Sequence, residues 1–133
     1  MANVTVNIAT ASGQTEACEI EWTQGPPVEM HARTPQFGTM HFSGEDLFGT
    51  LSQLRQRLEE EGYRLLCNAA RKDAYPSRMA RQMAGGRKVY LLKSGMQARR
   101  EDLVDAFEPA EFEQVGTVAE QRAAYEDWLR SLG

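Results

Sequence analysis

Cys18 and Cys67 are the only thiols in this 133-residue sequence, and His31 and His41 its only imidazoles. Nucleophilic catalysis needs a thiol or hydroxyl beside a base that a third group orients. Cys67 with either histidine is the formal candidate. It follows Leu65-Leu66 in an apolar run that reads as a core strand, where a thiol behaves as a small hydrophobe. A reactive cysteine requires an exposed, electropositive setting, and only the basic stretch after Cys67 supplies part of that. His31 and His41 stand on different strands, with no Cys-x-x-Cys, His-x-x-x-His or carboxylate cluster beside them. The 19 acidic side chains single out no pair for acid–base work. Gly85-Gly86-Arg87-Lys88 resembles a phosphate loop in composition, but such loops follow a strand and open a helix. Here a helical stretch precedes the glycines and a strand follows, so they are expected to end the helix and turn the chain. The expectation is therefore no catalytic residue, no metal site and no cofactor.

The stretch from Asn68 to Lys88 is the more informative one. It is a long connection between two strands, and such connections tend to be functional or mobile. It carries Arg71, Asp73, Tyr75, Arg78, Met79, Arg81 and Arg87, and Arg, Tyr and Met are types enriched in protein interfaces. These seven are the candidate partner-binding residues. The competing expectation is that Tyr75, Met79 and Met83 pack under the connection while the arginines are solvated.

The elements that must hold this stretch follow from periodicity. Val4, Val6 and Ile8 alternate with polar residues, as do Cys18, Ile20 and Trp22, then Val28, Met30 and Ala32. Gln24-Gly25-Pro26-Pro27 and Thr34-Pro35 break these runs, and Phe37 to Phe42 forms a fourth strand, giving an antiparallel meander. Leu47, Leu51, Leu54 and Leu58 lie on one face of a central helix over about 43–61, with Ser43 and Asp46 at capping-box spacing and Gly62 at its end. Tyr63–Cys67 and Lys88–Lys93 read as strands, with a short helix from Pro76 that turns Met79 and Met83 inward. Residues 99–107 fit either a helical turn or a strand. A last helix over about 117–132 opens on a Thr117–Glu120 capping box and packs through Val118, Tyr125, Trp128, Leu129 and Leu132. The fold class is α+β in one domain over 1–133: an antiparallel sheet with the central and C-terminal helices packed on it.

Charge is unevenly distributed. Residues 1–62 hold nine acidic and three basic side chains, 63–100 one and ten, and 101–133 nine and two. Such blocks mark an interaction surface or neutralise one another in space. Without a signal segment, a disulfide framework or an apolar run near the ~20 residues of a membrane span, the expected location is cytoplasmic, with no membrane partner.

The strings Leu65-Leu66-Cys67-Asn68-Ala69-Ala70-Arg71, Tyr75-Pro76-Ser77-Arg78-Met79, Gly85-Gly86-Arg87 and Val115-Gly116-Thr117-Val118-Ala119-Glu120-Gln121-Arg122 resemble small bacterial toxin-immunity proteins, across residues 44–133. The resemblance implies a cytosolic, non-enzymatic inhibitor that binds a cognate protein toxin and occludes its active site. The toxin would be a nuclease, a deaminase or a nucleotide-consuming enzyme. Two other expectations stand beside it. One is a nucleic-acid or nucleotide-binding module using basic residues 63–100, although only Tyr63, Tyr75 and Tyr90 offer stacking there. The other is an enzyme using Cys67 or dispersed carboxylates.

Overall fold

A computed structural model describes residues 1–82 and 86–133. The alternating N-terminal runs form β1 (Ala2–Ala9), β2 (Thr15–Trp22), β3 (Val28–Thr34) and β4 (Gly38–Gly44). Their register aligns the apolar positions: Val6 faces Cys18, Ile20 faces Ala32, Trp22 faces Met30 and Met30 faces Phe42. A short β5 (Arg64–Leu65) pairs with the end of β1, completing an all-antiparallel sheet of order β4-β3-β2-β1-β5. A second antiparallel sheet joins β6 (Ala74–Tyr75), β7 (Lys88–Leu91) and β8 (Leu103–Asp105) in the order β6-β7-β8. The 99–107 segment is thus both things the sequence allows, a 3-10 turn at Arg100–Asp102 followed by β8.

Helix α1 (Leu47–Glu59) buries Leu47, Leu51, Leu54 and Leu58 completely within the same core as the inner face of the large sheet. Each such leucine contributes roughly 1.5–3 kcal/mol of transfer free energy. The helix starts later than the Ser43–Asp46 spacing predicts. Ser43 pairs with Glu29 inside the sheet, and Asp46 is the N-cap, accepting a 2.7 Å bond from the Gly49 amide. The strand's demand for Ser43 outranks its capping propensity. The remaining helices are α2 (Arg78–Gln82) and α3 (Val118–Ser131), the latter capped by the reciprocal Thr117–Glu120 box. Among the described residues, no helix is long and apolar enough to cross a membrane.

Packing of α3 departs from its apolar pattern. Of its side chains, all described, only Gln121 is buried, while Leu129 and Leu132 are 46% and 39% exposed. Gln121 is held because it completes a polar clasp around Arg55 of α1, which is 2% exposed. The Arg55 guanidinium donates to Gln121 Oε1 at 2.7 Å, to the Gly116 carbonyl at 3.0 Å and to the Ala69 carbonyl at 3.4 Å. Gln121 Nε2 in turn donates to the carbonyls of Ala69, Arg71 and Ala74 at 2.7–2.9 Å. Burial pulls the Arg55 pKa below its ordinary value, an effect that the nearby Glu59 charge partly opposes. An arginine nevertheless stays charged.

Truncating Gln121 should therefore remove the shortest of the three acceptor contacts of the buried Arg55 charge and the side-chain donor shared by the Ala69, Arg71 and Ala74 carbonyls. We expect Gln121→Ala to cost about 3 kcal/mol, read as a lower urea midpoint at unchanged slope. A loss below about 1 kcal/mol would show that the clasp is not what joins α3 to α1.

Candidate partner-binding face

The long connection is more ordered than its composition suggests. After Cys67, a 3-10 turn at Asn68–Ala70 buries three small or amide side chains, and Asn68 Nδ2 donates to the Asp105 carbonyl at 3.1 Å. Arg71 then bridges Val115, and the Leu92 amide closes on the Asp73 carbonyl at 2.7 Å. Ala74 and Tyr75 pair with Leu91 and Tyr90. Pro76 precedes α2, where the Ser77 hydroxyl accepts from the Ala80 amide at 3.0 Å.

Of the seven candidate residues, five are engaged within the chain. Arg71 grips Asp73 through two 2.8 Å bonds, which hold its pKa above the ordinary arginine value. Tyr75 stacks on Tyr125 with centroids 4.0 Å apart and meets Phe48 edge-on at 5.2 Å. The Arg81 guanidinium lies 3.0 Å from Asp46 and over the rings of Phe48 and Tyr75, at 5.1 and 5.8 Å. Arg87 sits apart from these, over Trp22 and Phe107 and 3.9 Å from Asp105. The basic middle and its acidic flanks thus neighbour one another in space, as Arg64 with Glu120 also shows at 3.9 Å.

Arg78 and Met79 are the exception. Both are exposed, Met79 at 66%, and Arg78 has no ion-pair partner among the described residues. The inward orientation expected of Met79 is therefore wrong. Ala80 takes the buried position, and Arg81 covers the aromatic pair, leaving Met79 on the outer side of a single-turn helix. Met83 and Gly85 lie outside the described residues; Gly86 is buried with φ +76°, a backbone state that favours glycine.

Arg78 and Arg81 line an open cleft of about 770 Å³. The loop Thr23-Gln24-Gly25-Pro26 and Glu45-Asp46-Leu47, at the start of α1, line the same cleft. Sequence reading marks that loop only as a strand terminator. Its meeting with α2 at one cleft depends on the β2–β3 register and on how α1 packs on the sheet, neither of which has a local signal.

The remaining chemical candidates are dispersed. Cys18 and Cys67 are fully buried, and burial pushes their thiols up to about 12 and about 11. His31 and His41 project from the opposite, exposed face of the large sheet. Among the described residues, no three His, Cys, Asp or Glu side chains form a group that could hold a metal ion. No protein-family model matches the chain, and no curated protein matches it.

Both thiol pKa values are raised on folding, so the folded state prefers the protonated form. The stability this gives is complete below the unfolded thiol pKa and is lost as pH climbs from about 9 through the folded values. The urea midpoint should accordingly fall more steeply between about pH 8 and pH 11 in the wild type than in Cys18→Ala/Cys67→Ala. Parallel profiles would show that the thiols are not linked to folding.

Proposed function

We propose that the chain is an immunity-type inhibitor that binds a cognate antibacterial protein toxin in the cytosol and occludes its active site. The observation that carries this reading is the pair Arg78–Met79: a guanidinium that lines the cleft and has no ion-pair partner among the described residues, next in sequence to a large, mostly exposed thioether. Exposed apolar side chains of this kind, next to arginine, are typical of interface centres. The ledge behind them is rigid. Arg81 is fixed by Asp46 and by two aromatic rings, and Tyr75 by Tyr125 and Phe48, so little side-chain entropy is lost when a partner docks.

The alternative of a nucleic-acid module draws less support from this arrangement. Arg71, Arg81 and Arg87 already face carboxylates, which removes three cations from the block such binding would use. A nuclease, a deaminase or a nucleotide-consuming enzyme remains the proposed class of toxin.

Co-expression with the product of the adjoining reading frame tests the proposal through growth and co-purification. The wild-type chain should restore growth and form a stoichiometric complex. Arg78→Glu/Met79→Glu should weaken that complex by about 100-fold or more, with an unchanged melting temperature because both side chains are exposed. Absence of both complex and rescue for the wild type would overturn the inhibitor reading. Full protection by the double variant would overturn the assigned face.

A further inference from the structure

The outer face of the large sheet carries a second constellation, remote in character from the α2 rim. His31 and His41, ten residues apart in sequence, are direct partners across β3 and β4, with ring centroids 4.8 Å apart. Both are exposed. A metal–nitrogen distance of about 2.0–2.1 Å places an imidazole centre roughly 3.2 Å from the ion. Two rings on one ion then lie roughly 4.5 Å apart at a square-planar angle and roughly 5.2 Å apart at a tetrahedral one. The observed separation falls between these limits.

The surroundings of His41 supply an independent argument. Glu29 Oε2 lies 2.7 Å from His41 Nε2, and the Ser43 hydroxyl donates to Glu29 Oε1 at 2.9 Å. A carboxylate accepts, so His41 Nε2 donates to Glu29 and Nδ1 is the ring nitrogen available to an ion. A histidine whose second nitrogen donates to a carboxylate is the arrangement found at metal-ligating histidines, where the outer partner fixes tautomer and ring orientation.

We propose that His31 and His41 form a binding site for a late first-row divalent cation such as Cu²⁺, Ni²⁺ or Zn²⁺. Glu29 serves as the outer carboxylate that positions His41, and Ser43 positions Glu29. Water completes the coordination, since the protein provides two ligands. Glu21, opposite His31 on β2, adds negative charge to the same face without being required as a ligand. An ion bound there ties β3 to β4, the edge strand of the sheet.

Isothermal titration of the full chain with CuCl₂, NiCl₂ and ZnCl₂ at about pH 7.5 tests this. One ion should bind per chain, most tightly for Cu²⁺. Affinity should fall at least tenfold in both His31→Ala and His41→Ala, and by about tenfold or more in Glu29→Ala. Thermal melting without metal verifies that the variants fold. A readout needing no variant is the wild-type imidazole NMR signals, which should shift together for His31 and His41 on adding Zn²⁺. No saturable Cu²⁺ binding, binding undiminished in both histidine variants, or a shift at only one ring would overturn the site and leave the pair as ring packing. Full affinity in Glu29→Ala would overturn the role given to that carboxylate.

Discussion

A single buried guanidinium sets how the two halves of this chain meet. Arg55 lies in a helix whose neighbours are leucines, and no carboxylate is bonded to it among the described residues. An uncompensated charge at that depth costs several kcal/mol, so the fold must deliver acceptors to it. Those acceptors come from residues 69, 116 and 121, three points far from Arg55 in sequence. A packing that withholds one of them leaves donors unmet in a low-dielectric interior. The clasp therefore selects one arrangement of the 68–74 segment and α3 against α1, where apolar contact alone would tolerate several.

That selection explains why the connection after Cys67 is ordered. The carbonyls of Ala69, Arg71 and Ala74 converge on Gln121 Nε2 and share its two hydrogens, which ties the backbone of the connection to α3. Once the backbone is fixed, Tyr75 is presented to Tyr125 and Phe48, and Arg81 to Asp46. Arg71, Arg81 and Arg87 are held by carboxylates within the chain. Among the seven candidate residues, Arg78 and Met79 stand out because the other five are engaged.

The fold class, the strand alternation and both long helices were legible because each is a local periodicity. The Thr117–Glu120 capping box was equally legible, since both of its hydrogen bonds span only three residues. Three features were not. Gln121 stands on the same helix face as Val118 and Tyr125, but its type announces no apolar packing, and nothing near it in sequence announces that Arg55 is waiting across the core. Leu129 and Leu132 read as core, yet the clasp anchors α3 by its first half and leaves them half-exposed. Met79 reads as inward from its spacing to Met83, whereas the deciding factor is Arg81, whose charge is satisfied only if its side of α2 faces Asp46. In each case a long-range polar interaction outranked a local apolar pattern.

The histidines illustrate the same limit from the other side. Ligand spacing along a chain is informative for helices and tight loops, where neighbours in space are neighbours in sequence. In a hairpin the relation is set by register, so residues ten apart meet whenever the turn between them places them opposite each other. Here Thr34 pairs with Gly38, and counting outward through Arg33 and Thr39, then Ala32 and Met40, brings His31 onto His41. A shift of one residue would turn one of the two strands' entire apolar set to the wrong face. The burial of Met30 and Ala32 on the inner side turns His31 outward, and the register set at Thr34–Gly38 places His41 opposite it. Their juxtaposition is a by-product of core packing, and the Ser43–Glu29–His41 chain is what turns that by-product into an oriented pair.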